Sequence, residues 1–271
     1  MQHINQIGEL SWGYSEMRDA IAEFMELYSN RPVSLNDGGM KTPHMFATWF
    51  MLKKLKPEIV IESGVWKGQG TWLIEQALPD AKLYCIDLNL GYREFISESA
   101  TYFEQDFEII DWSFIESKDR ALLFFDDHQN ALNRIRKGEI LGFKHFIFED
   151  NYPALQGDCY SLKKAFQHAG FTPQKIENIG LKQKIKSFFG NNSMNDIEPN
   201  PDDANFLNDA LDVYYEFPPL FKREVTRWND KWDDENYPTP NPLFKNDSKV
   251  LYPLLFEEAI YYTWICYCKL K

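Results

Sequence analysis

Four short apolar runs, each stopped by an acid, constrain this 271-residue chain more than any other feature. They are Ile59-Val60-Ile61-Glu62, Lys82-Leu83-Tyr84-Cys85-Ile86-Asp87, Ala121-Leu122-Leu123-Phe124-Phe125-Asp126 and His145-Phe146-Ile147-Phe148-Glu149. Continuous apolar runs suit strands buried on both faces of a sheet. Helical stretches alternate with them: around Trp72 to Ala77, Gln129 to Arg136, and Ser161 to His168. Thr101 to Asp106 reads as a weaker strand in the same series. The alternation predicts an α/β domain with a mostly parallel sheet and helices on both faces.

The flanks read differently. Ser15 to Tyr28 and Pro43 to Leu55 are helical by spacing, so residues 1–56 are expected to form an N-terminal helical cap on a main domain of residues 57–271. Asn191 to Asp203 and Trp228 to Pro242 are rich in Asn, Asp and Pro and read as loop, with a short helix near Phe206 to Tyr214 between them. They suggest a substrate lid inserted at about 190–248. The β-branched and aromatic run Tyr261 to Cys268 predicts a terminal strand, expected to be antiparallel. Cys85, Cys159, Cys266 and Cys268 are scattered and read as buried free thiols.

With 29 Lys and Arg against 41 Asp and Glu, the formal charge is −12. That balance offers no global attraction to nucleic acid or to an anionic membrane surface, and neither partner is expected. No segment approaches the roughly 18 uninterrupted apolar residues of a spanning helix. The first residues lack the basic start and apolar core of a signal peptide, so the expected location is the cytoplasm.

The segment Glu62-Ser63-Gly64-Val65-Trp66-Lys67-Gly68-Gln69-Gly70-Thr71 carries the strongest chemical signal. Glycines let a ligand approach the backbone, and the helix start presents unpaired N–H groups. The spacing fits neither the dinucleotide fingerprint nor the phosphate loop. An acid at the strand end is poorly placed for phosphate and suits an ammonium or sulfonium ligand. Asp87 stands where α/β sheets hold a ribose diol. Gln105-Asp106-Phe107 offers an acceptor and an aromatic face for a base.

On these residues the chain resembles the class I S-adenosylmethionine-dependent methyltransferases, whose fold is Rossmann-like. The resemblance implies that Glu62, Gly64, Gly68, Gly70 and Thr71 hold the methionine end of S-adenosylmethionine. It places Asp87 at the ribose, with Asp106 and Phe107 at the adenine. Lys67 either touches the cofactor carboxylate or faces solvent.

Two more strand ends are charged: Asp126-Asp127-His128 and Glu149-Asp150-Asn151-Tyr152. Neighbouring strands of a parallel sheet converge on one crevice, so these residues form an oxygen-rich set suited to a hard divalent ion, magnesium above all. The pattern resembles the metal-dependent O-methyltransferases of the catechol type and the macrocin and related sugar O-methyltransferases. By that resemblance Asp126, Asp150 and Asn151 are metal ligands and His128 is the base. The doubled acid leaves two registers open, with Asp127 as the other participant, and the same residue types also make helix caps and turns.

Tyr214, Tyr215, Phe217, Phe221, Trp228 and Trp232 in the insertion suit stacking on a sugar, and suit equally the packing of a lid or a homodimer. The expected activity is methylation of a hydroxyl on a sugar or glycan, with a catechol-like small molecule as the alternative acceptor. A non-catalytic glycan-binding or scaffolding protein is the alternative outside enzymology.

Overall fold

The computed structural model describes residues 4–173 and 196–271. The chain opens with β1 (Gln6–Ile7), α1 (Tyr14–Asp19), α2 (Ile21–Ser29) and α3 (Thr42–Leu55). Alternating elements follow: β2 (Ile59–Ser63), α4 (Gln69–Ala77), β3 (Lys82–Ile86), β4 (Thr101–Phe103), β5 (Ala121–Phe125), α5 (Ala131–Leu141), β6 (His145–Phe148) and α6 (Leu162–Phe166). Beyond residue 195 come α7 (Pro201–Ala210), β7 (Leu211–Glu216), α8 (Pro253–Glu258) and β8 (Cys266–Leu270).

One sheet contains the described strands in the order β1-β7-β8-β6-β5-β2-β3-β4. Strands β2 to β6 are parallel, and β8 runs antiparallel to β6 as expected of the C-terminal strand. Strand β7 pairs antiparallel with β8, and β1 pairs antiparallel with β7 at the outer edge. Because side chains alternate across a strand, each strand feeds two cores. Val60, Leu122, Phe124 and Ile147 join α2, α3 and α4 on one face. Ile61, Leu123, Phe125 and Phe146 join α5, α6 and α7 on the other. The result is a three-layer, Rossmann-like α/β fold.

Local chemistry sets several boundaries. The residue after α3, Lys56, adopts a left-handed conformation at φ 48°, and Pro57 follows. Asn130 caps α5 by accepting the amide of Asn133, and Gly142 closes that helix at φ 90°. The single helix expected over Ser15 to Tyr28 is two, α1 and α2, joined at Ala20. The helix expected to reach Tyr214 stops at Ala210, because Val213, Tyr214 and Tyr215 pair with β8 as strand. The aromatics of the insertion mostly face inward. Tyr214, Phe217 and Phe221 are fully buried, Trp232 is stacked on Tyr262, and Trp264 lies against Trp228, Trp232 and Tyr237. They pack the fold; only Trp228 is partly open. Residues 190–195, the start of the expected lid, lie outside the described residues. Among the described residues no helix is long and apolar enough to cross a membrane. All four cysteines are buried and free.

A buried ion pair fastens α6 to β7. Lys163 Nζ lies 2.7 and 2.8 Å from the two carboxylate oxygens of Glu216, which also accepts the Tyr214 hydroxyl at 2.8 Å. Removing one charge strands the other in the core. Lys163→Met should therefore cost about 3–5 kcal/mol in urea denaturation, and adding Glu216→Gln should recover most of it.

Candidate functional site

The carboxyl ends of β2, β3, β5 and β6 point the same way, and main-chain bonds continue past them. Gly64 N–H donates to Ile86 O, Asp126 N–H to Ser63 O, and Glu149 N–H to Phe125 O. The loops after these strands are thus held edge to edge. A Cβ on Gly64, whose φ is 101°, would stand 2.1 Å from the carbonyl oxygen of Asp126. Only glycine allows that approach.

Glu62 is fully buried at the end of β2. One carboxylate oxygen accepts the Thr71 hydroxyl at 2.5 Å and the Cys85 thiol at 3.2 Å. The other, Oε1, has no hydrogen-bond partner among the described residues. It faces Gly70, where an added Cβ would lie 2.4 Å from it and 3.3 Å from Met40 Cε. Burial pushes the Glu62 carboxyl up to about 8. An orphaned, buried acceptor beside a glycine cradle fits the cationic ammonium of an amino-acid ligand. Thr71, itself buried, serves Glu62 directly.

The other residues assigned to a cofactor have different surroundings. Asp87 Oδ2 accepts the amides of Val65 and Trp66 at 3.0 Å each, and Oδ1 accepts that of Asn89, so it pins the glycine turn. Lys67 donates to Leu35 O at 2.7 Å and pairs with Glu94. Gly68 stands under Phe95 O, 2.2 Å from where a Cβ would be. Asp106 is held by both terminal nitrogens of Arg134, at 2.9 and 2.7 Å. Phe107 departs from expectation: its ring is fully buried and packed against Trp112 and Phe125. It belongs to the core and presents no face to a base.

The doubled acid separates cleanly. Asp127 accepts the Ser63 hydroxyl at 2.9 Å and Arg134 Nε at 3.1 Å, and caps its own turn through Gln129 N–H at 3.2 Å. It is a structural carboxylate. Asp126, His128 and Asp150 instead bring one ligand atom each within 4.8 Å of one another. His128 takes a left-handed backbone at φ 54° and sets Nδ1 2.9 Å from Asp150 Oδ2 and 3.0 Å from Asp158 Oδ1. Burial works against the imidazolium, but Asp150 and Asp158 outweigh it and hold the ring protonated well above its usual range. Burial likewise opposes the Asp150 carboxylate, and His128 outweighs it, keeping Asp150 ionised.

Asn151 does not join this cluster. Its Nδ2 donates to the Tyr214 hydroxyl and to Trp264 O, while its Oδ1 accepts Lys163 N–H at 2.8 Å. A side chain with all its polar atoms spent in the core has no oxygen to give a metal. The oxygen donors present, the carboxylates of Asp126 and Asp150 beside His128, fit a hard divalent ion.

Sequence reasoning assigned no role to His44, Arg134 or Asp158. Arg134 is buried and pairs with Asp106, Glu108 and Asp127 at once. His44 Nδ1 is bonded to Glu149 Oε1, and its Nε2 accepts the amide of Thr263 at 2.9 Å. No spacing pattern links these pairs; only the fold brings them together.

No protein-family model matches the sequence, and no curated protein matches it. Among solved structures, an apo form of CmcI aligns over 44% of this chain and 57% of its own, at 21% identity and a TM-score of 0.34. The aligned part thus spans little more than half of that protein. A CmcI structure described as Mg-SAM aligns over 67% and 68%, at 18% identity and a TM-score of 0.38. The O-methyltransferase TomG from Streptomyces achromogenes, in complex with SAM, aligns over 53% and 67%, at 14% and 0.37. Likeness at this level names neither a family nor an activity, and the functional assignment rests on the site.

The raised Glu62 carboxyl has a consequence for stability. Folding favours its neutral form, so the stabilisation is complete below about 4.5 and is lost as pH rises through about 8. Glu62→Gln should abolish this loss, leaving the ligand-free variant more stable than wild type above pH 8 by up to about 4 kcal/mol. Urea titrations across the window measure it; identical pH slopes for the two proteins would contradict a neutral, buried Glu62.

Proposed function

We propose that this protein is an S-adenosylmethionine-dependent, divalent-metal-assisted O-methyltransferase. The observation that carries the proposal is Glu62 Oε1, buried above Gly70 at the end of the central strand with no partner among the described residues. In this reading Glu62 holds the ammonium of the cofactor's methionine end, with Gly64, Gly68 and Gly70 keeping side chains out of its path. Asp87 shapes the same loop by fixing the amides of Val65 and Trp66.

Asp126 and Asp150 would hold the metal half of the site, with His128 beside them. A divalent ion there, when bound, supplies positive charge that makes an acceptor hydroxyl easier to ionise. His128, whose charge Asp150 would no longer need once that carboxylate holds an ion, would then be neutral and placed to receive the hydroxyl proton, with Asp158 stabilising the imidazolium that forms. The remaining requirement is alignment of the acceptor oxygen with the methyl group, which positioning by the protein supplies.

For the acceptor we propose a hydroxyl on a sugar or glycan. Tyr152 follows the metal half, and its ring meets Trp228 edge-on at 5.9 Å. Beside them Gln156 and the Tyr237 hydroxyl both bond Asp230. A partly open indole next to hydrogen-bonding groups supports recognition of a ring that is apolar on its face and hydroxylated at its edge.

Calorimetry with S-adenosylhomocysteine is the first test, and no binding by folded protein overturns the proposal. Asp126→Asn and Asp150→Asn should each lower methyl transfer at least about 100-fold with cofactor affinity retained. Asn151→Ala should keep its metal response and lose stability. Labelled-methyl transfer to sugar nucleotides, compared with catechols, decides the acceptor class.

A further inference from the structure

His44 comes from α3 in the N-terminal cap, yet it ends against the loop after β6. It is almost fully buried, with its ring edge-on to Tyr262. Its hydrogen bonds fix its tautomer. The Thr263 amide can only donate, so Nε2 is the acceptor, and the ring proton sits on Nδ1. Nδ1–H therefore donates to Glu149 Oε1. Burial agrees with this neutral form, lowering the imidazole to about 3.

The partner of Nε2 completes a clamp. Thr263 Oγ1 donates to Glu149 O at 3.1 Å, and Thr263 O accepts Asn151 N–H at 3.1 Å. The residues before and after Asp150 are thus gripped by one threonine, while His44 fixes both that threonine's amide and the Glu149 side chain. Asp150 itself is held from behind by the Cys159 thiol on its carbonyl oxygen. None of these bonds uses the Asp150 carboxylate, which lies beside Asp126 and His128 and also meets the Glu149 carboxyl that His44 holds.

The same cap segment touches the glycine turn through other residues. Val33 N–H donates to Gln69, Lys67 donates to Leu35 O, and Trp66 donates to Asp37 O. His44 takes no part in those contacts. The two halves of the site are therefore supported by separable groups on one segment.

We infer that His44 is a positioning residue for the metal half of the site: by holding Glu149 and the Thr263 amide, it sets the direction of the Asp150 carboxylate. This rests on the metal-assisted reading above, and it extends that reading to a residue far from it in sequence. Ligand-orienting partners of this kind commonly contribute 10–100-fold to metal affinity.

The test uses the full chain with Mn2+ as the probe, measured by electron paramagnetic resonance with S-adenosylhomocysteine present. His44→Phe should weaken Mn2+ binding at least about tenfold while the S-adenosylhomocysteine affinity stays within about twofold. His44→Asn, whose amide can replace the Nδ1 donor, should regain most of the loss. Equal Mn2+ affinity in wild type and a folded His44→Phe overturns the inference, as does an equal loss in both variants. Should His44→Phe fail to fold, Thr263→Val removes the hydroxyl's contacts with Glu149 O and His44 Nε2, and unchanged Mn2+ affinity there is equally fatal. A wild-type protein that binds no Mn2+ removes the metal reading and this role together, whereas unchanged affinity in the variants removes this role alone.

Discussion

A carboxyl group with no access to water, at the end of the central strand, sets the terms for its surroundings. Burying Glu62 costs free energy that two hydrogen bonds from Thr71 and Cys85 only partly offset, because both fall on the same oxygen. The other oxygen requires position 70 to have no side chain. The helix that begins at Gln69 must therefore start with its least favourable residue type in the first turn. Strand, turn and helix each give up stability around one acceptor, which is the pattern of a site kept for a ligand.

The remaining acids divide by what neutralises them. Arg134 is the counter-ion of Asp106 and Asp127, and it ties the loop after β4 to the loop after β5. His128 performs the same service for Asp150 and Asp158. The first arrangement uses a guanidinium whose charge is permanent, and whose planar fork matches a carboxylate geometrically. The second uses an imidazole, whose charge depends on its company. Structural and chemical carboxylates stand one residue apart: Arg134 holds Asp127, whereas Asp126 lies with His128 and Asp150.

Much of the fold was legible because burial on both faces leaves an unmistakable pattern. The parallel strands, the glycine turn and the acids at the strand ends all follow from runs of apolar residues with abrupt stops. Side-chain direction was not legible. At Asp126-Asp127 two adjacent acids point to different neighbours, and no periodicity in a loop says which goes where. Asn151 and Phe107 carry residue types that suit a ligand site, but Lys163, Tyr214 and Trp112 claim them for the core. Strand β7 was hidden because Phe206 to Tyr214 has helical spacing up to the point where β8 offers it a pairing edge.

His44 shows why the cap could not be read as a separate layer. A histidine near the start of a helix carries no sequence signal, and its partners lie more than a hundred residues away. Its Nδ1–H and Nε2 are matched to one acceptor and one donor, a pairing that a lone buried imidazole needs in order to stay neutral. Glu149 and Thr263 supply that pairing from just past β6 and from the approach to β8, strands adjacent in the sheet. The antiparallel closure of the sheet thus puts Thr263 at the carboxyl end of a parallel strand. A parallel β8 would present its amino end elsewhere, and the loop bearing Asp150 would lose both of its supports at once.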